Sequence, residues 1–121
     1  MEFIQTSLQM AIALGILNVW LLRGSKPTRY RGGSSNSIKE EFEAYGLPLW
    51  SFYAIGTTKI ACAVALILGI WMSALVLPAA SILSVLMFGA ISMHMKVGDA
   101  LIKSLPAAIM LALCLILVFL V

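Results

Sequence analysis

Four long apolar runs set the pattern of this chain, at residues 3–22, 49–71, 74–95 and 105–121. Each is long enough for a helix across a hydrocarbon core, which takes about 20 residues. A different pattern sits between the first two. Ser37 followed by Glu40 forms a capping box, in which the hydroxyl accepts the third helical N–H and the carboxylate reaches back to the first free amide. Ile38, Phe42 and Tyr45 then recur at i, i+4 and i+7, while Lys39, Glu40, Glu41 and Glu43 fall elsewhere. This spacing predicts a short amphipathic helix over 38–45, lying flat on the bilayer surface. Gly46 supplies the left-handed residue that ends it, and Pro48 opens the next helix. The pattern therefore predicts an all-α fold over residues 1–121: a four-helix transmembrane bundle, left-handed with crossings of about 20°, plus one interfacial helix between helices one and two.

Composition agrees with this and removes alternatives. With 62% apolar and 11% charged residues among 121 and a mean hydropathy of +1.05, four spans use nearly the whole chain and leave no soluble catalytic domain. The first run lacks a basic flank and a small-residue cleavage site and carries Gln5, Gln9 and Asn18, so it reads as a retained helix rather than a signal peptide. The net charge of +3 comes from the loops. Arg23, Lys26, Arg29, Arg31 and Lys39 lie between helices one and two, Lys96 and Lys103 between three and four, and none near Met72 and Ser73. The positive-inside rule then places both charged loops in the cytoplasm and both termini on the other side, as expected of a multi-pass protein of a bacterial inner membrane. No basic face is patterned for nucleic acid. The expected partners are the lipid bilayer and another membrane protein or a second copy.

Polar groups inside the apolar runs are the candidates for chemistry. Counting from Leu49 at about 1.5 Å per residue puts Lys59 about 15 Å below the interface, near the midplane. A lysine there costs on the order of 3 kcal/mol, so it should face the bundle interior and either find acceptors or serve a ligand or proton. Asn18, one turn from the same end of helix one, either bonds a neighbouring helix or lines a polar cavity. His94 sits near the cytoplasmic end of helix three, without the partners a metal ligand would need. Asp99 either caps a helix, pairs with Lys96 or Lys103, or turns toward Lys59. Trp50 and Tyr53 stand at the depth of an aromatic belt. Ser7, Ala11 and Gly15 form a small-residue stripe suited to close helix approach. Cys62 and Cys114 carry no C-x-x-C signature and read as small hydrophobes; a disulfide would need their backbones within about 7 Å.

Two stretches, GTTKIACAV at 56–64 and MFGAISMHMKVGDALIKSLPAA at 87–108, resemble the DoxX-like family of small four-helix membrane proteins. The resemblance extends to the receptor-assembly chaperone called NACHO. It rests on a helix-two glycine followed three positions on by an ionisable residue, and on a His-x-x-Val-Gly-Asp run after helix three. The family position held here by Lys59 is commonly glutamate. The resemblance implies either a membrane subunit of a quinone-linked oxidoreductase system or a factor assisting assembly of other membrane proteins.

Three functions follow as expectations. The first is a non-catalytic accessory subunit or assembly factor with a polar pocket built from Asn18, Lys59, His94 and Asp99 and roofed by the amphipathic helix. The second is a quinone-binding redox component in which Lys59 or His94 bonds a carbonyl and Trp50 and Tyr53 flank the ring, its electrons coming from a partner. The third is a small dimeric transporter, for which the absence of an interior membrane carboxylate disfavours cations.

Overall fold

The computed structural model describes residues 2–26, 30–33 and 35–121. Arg29, one of the basic residues of the first loop, lies outside the described residues. The fold is all-α: α1 (Glu2–Leu17), α2 (Ile38–Ala44), α3 (Leu49–Leu68), α4 (Val76–Lys96) and α5 (Leu105–Leu120). A π-helical turn, Asn18–Leu22, extends α1, and 3₁₀ turns precede α4 (Ser73–Leu75) and α5 (Leu101–Ser104). With these turns the four candidate spans are Glu2–Leu22, Leu49–Leu68, Ser73–Lys96 and Leu101–Leu120. Each long helix packs on its two neighbours in chain order, and α5 closes the ring against α1.

Such a bundle turns apolar side chains both ways. Ile12, Ile16, Leu66, Leu83 and Leu117 meet in a fully buried core that includes both unpaired thiols, Cys62 and Cys114. Val85, Phe88 and Phe119 instead point outward at 71%, 65% and 85% exposure. That is the surface a bilayer requires, since every helix satisfies its own backbone and offers lipid only hydrocarbon. Helix α1 buries the face of Gln9, Ile12, Ala13 and Ile16, so the small-residue stripe is not its packing face within the chain. Ser7 and Ala11 are exposed, and of the three only Gly15 meets a neighbour, Met110 of α5.

At the end of α3 the helix tightens, with Ile70 N–H donating to Ile67 instead of Leu66. The freed Leu66 carbonyl accepts from buried Gln9 Nε2 at 2.8 Å. Gln9 thus satisfies an acceptor that has no water to turn to.

The opposite end is where polar residues gather. The loop before α2 and the turn between α4 and α5 touch there, through Gly33 N–H donating to Asp99 Oδ1 at 3.0 Å. Helix α2 begins as its capping residues dictate, with Ser37 Oγ accepting the Glu40 amide at 3.1 Å. The Glu40 carboxylate reaches one residue further back than a standard box, to Asn36 N–H at 2.7 Å. Gly46, at φ +77°, ends the helix, and Leu47 N–H closes onto the Phe42 carbonyl at 3.1 Å.

Candidate functional site

The polar end is assembled from short-range chain geometry. Gly98 takes φ +71° after α4, a conformation that favours glycine. The reversal brings Asp99 back beside His94: its amide donates to the His94 carbonyl at 3.0 Å, and its Oδ2 lies 2.8 Å from His94 Nδ1. An ionised carboxylate only accepts, so Nδ1 bears the hydrogen and Nε2 faces Glu41 at 3.8 Å. Of the three roles open to Asp99, the structure selects pairing with Lys103, at 3.7 Å, and with His94. Burial opposes the Asp99 charge, but the His94 and Gly33 hydrogen bonds and the Lys103 ammonium outweigh it and hold the carboxyl below its ordinary range.

Over this pair lies α2. Ile38, Glu41 and Tyr45 fall at i, i+3 and i+7 and share its inward face. Tyr45 is buried and donates to Glu41 Oε1 at 2.6 Å, with its ring edge-on to His94 at 5.8 Å. Burial and then the Glu41 carboxylate push the phenol well above its usual range, so it stays a donor. Lys96 clamps the same corner by donating to the Tyr45 carbonyl at 3.0 Å.

Arg31, 7% exposed, pairs with Glu41 Oε2 at 3.6 Å. It also donates through Nη2 to the carbonyls of Arg23 at 2.7 Å and Lys26 at 3.2 Å. Gly32 lets the Tyr45 ring lie against the loop backbone, because a Cβ there would stand 2.6 Å from the ring. Gly32→Ala is therefore expected to displace Tyr45 and destabilise the roof by about 1–2 kcal/mol. Hydrogen–deuterium exchange checks this: the Ile38–Ala44 amides should exchange several-fold faster, while α3 and α4 stay protected.

Beneath the roof is a cavity of about 450 Å³, within the range of small-molecule sites. Asn18 from the π turn that extends α1, Lys59 from α3 and His94 from α4 all line it. Asp99 is behind His94 rather than on the wall. Lys59 holds its ammonium over the Trp20 ring, 5.4 Å from the centroid, a cation–π contact. Trp20 reaches that position because the π turn, closed by Arg23 N–H to the Asn18 carbonyl at 2.9 Å, changes the phase of the helix end. Gly56 makes the space, since a Cβ on it would stand 2.6 Å from the indole. Gly56 and Lys59 thus act as one face, the glycine seating the ring and the lysine lying on it.

Trp50 and Tyr53 are not part of this site. Phe52, Gly56 and Lys59 recur at i, i+4 and i+7 and turn inward, which puts Trp50 and Tyr53 on the outer face at 71% and 58% exposure. Phe52 takes the place expected of them, packing with Trp20 and Phe42 at centroid distances of 5.7 and 5.8 Å. Sequence reasoning missed Arg31, Glu41 and Trp20. For Glu41 a signal existed, its three-and-four spacing to Ile38 and Tyr45.

Four apolar spans closed at one end by a hydrogen-bonded polar roof define a small multi-pass integral membrane protein. The chain belongs to the DoxX-like family, whose model matches residues 32–117. The match takes in the Gly32 loop, the Gly56–Lys59 face and the His94–Asp99 turn, and leaves out α1 with Asn18 and Trp20. No curated protein and no solved structure matches the chain.

Proposed function

We propose that this protein is a non-catalytic accessory component of the membrane, a subunit or assembly factor of a larger complex, that holds a small molecule in the cavity beneath α2. What carries the reading is one observation: Asn18, Lys59 and His94, from three different helices, line the same cavity of about 450 Å³. Intramembrane ionisable groups that face such a cavity are by default functional. The outward Ser7–Ala11 side of α1, exposed among the described residues, suits a helix of another membrane protein. By the positive-inside rule we read the roofed end as cytoplasmic and both termini as lying on the other side, in a membrane we take to be a bacterial inner membrane.

Organic extraction of the protein purified in mild detergent tests this. We expect one small molecule per chain in wild type and a several-fold loss in Lys59→Met, with the unfolding temperature unchanged. Equal recovery from both would remove Lys59 from the site. A quinone-binding reading is favoured by one feature, the presence of Lys59, His94 and the Trp20 ring in the lining of one cavity. A quinone in the extract would support it, with electrons supplied by a partner.

A further inference from the structure

The charges around the cavity do not balance. Arg23, Arg31, Lys59 and Lys103 line it, against a single lining carboxylate, Glu41. Glu41 is already engaged by Tyr45 and Arg31. Asp99, beside the lining residue His94, is held by His94, Lys103 and Gly33. Among the described residues Arg23 and Lys59 have no carboxylate within ion-pair distance.

Arg31 adds an independent sign. It is buried on the cavity wall, and its enclosed Nε has no hydrogen-bond partner among the described residues. A guanidinium on such a wall is built to meet a carboxylate or phosphate with more than one N–H.

The other half of the wall has different chemistry. Gly15, Ile16 and Val19 of the α1 span face Ala107, Ile109 and Met110 of α5. Val19 and Ile109 line the cavity and remain 37% and 51% exposed, and we read this α1–α5 edge as the mouth of the cavity, on the side that faces lipid. The α1–α5 interface around this mouth is the least extensive of the four between neighbouring helices. A water-borne anion gains nothing from an apolar wall that opens sideways. A molecule with a charged head and a hydrocarbon chain uses both halves.

Resting on the cavity as a ligand site, we infer that its occupant is an anionic amphiphile. Its carboxylate or phosphate head sits among Arg31, Lys59 and Lys103, and its hydrocarbon chain leaves between α1 and α5 into the bilayer. The arrangement explains why cations line one side of the cavity and apolar side chains the other.

Trp20, on the cavity wall, is a reporter for the test. In a variant carrying Trp50→Phe and Trp71→Phe, which changes only two exposed indoles, dibromostearate is titrated against its neutral methyl ester at mildly alkaline pH, and inorganic phosphate is added as a chainless competitor. The acid is expected to quench Trp20 saturably, with a midpoint at least tenfold lower than the ester. Arg31→Gln should raise that midpoint roughly tenfold. Because Arg31 also ties the roof loop, Lys59→Met serves as a second variant with the same expected shift. Phosphate should displace the acid only in large excess.

Equal midpoints for acid and ester would overturn the anionic head and leave the ligand cavity standing. Displacement by phosphate at matched concentration would assign the site to a free anion and overturn the amphiphile. No saturable quenching by either probe would overturn both this inference and the cavity as a ligand site.

Discussion

Gly56→Leu is expected to unseat Trp20 and destabilise the bundle by about 2–3 kcal/mol. A single Cβ at position 56 would already stand 2.6 Å from the indole, and the next two nearest atoms also belong to that ring. The larger side chain has nowhere to go except the space Trp20 fills. The ring is wedged between α3 and α2, against Phe52 and Phe42 at 5.7 and 6.2 Å, so it cannot move without opening the aromatic cluster under the roof. The Lys59 ammonium would lose its cation–π surface at the same time. Thermal unfolding in detergent measures the stability. Gly89→Leu is the control, because a Cβ there meets nothing within 4 Å. That variant should unfold at or slightly above the wild-type temperature, since leucine is the better helix former.

Asp99→Asn is the second large effect, expected to cost about 1–2 kcal/mol at neutral pH. The carboxylate is the acceptor for His94 Nδ1 at 2.8 Å and Gly33 N–H at 3.0 Å and the counter-charge for Lys103 at 3.7 Å. Asparagine keeps the shape and one acceptor but removes the charge. The folded carboxyl lies below its ordinary range, so its contribution is fully present above the unfolded value of roughly 4. It is lost as pH falls through the lower folded value. Wild-type unfolding temperature should therefore decline on the acid side below roughly pH 4, and Asp99→Asn should start lower and show less of that decline. A parallel acid limb in both proteins would mean that Asp99 is not the group titrating.

These two residues also show how far the sequence carries. The four spans were legible because bilayer thickness sets a length that apolar runs must meet. The roof helix was legible because Ser37 and Glu40 write its start and Gly46 its end. Lys59, His94 and Asn18 stood out as polar groups in apolar surroundings, and the structure brings all three to the lining of one cavity. What the sequence could not convey was phase and path. Trp20 lies over Gly56 only because a π turn adds to the helix, and no periodicity announces that turn. Arg31 and Gly33 reach the site along a loop whose course has no repeat to read. Trp50 and Tyr53 were placed by depth alone, and helix phase turns them outward. Asp99 had three sound pairings in sequence, and the left-handed Gly98 decides among them by folding the turn back onto His94.

The central claim is that the cavity around Lys59 holds a small molecule. Native mass spectrometry of the gently solubilised protein, wild type beside Lys59→Met, tests it most directly. One non-covalent adduct of defined mass on the wild type, lost or much reduced in the folded variant, is the expected result. An empty chain in both proteins, or the same adduct at the same occupancy in both, would contradict it.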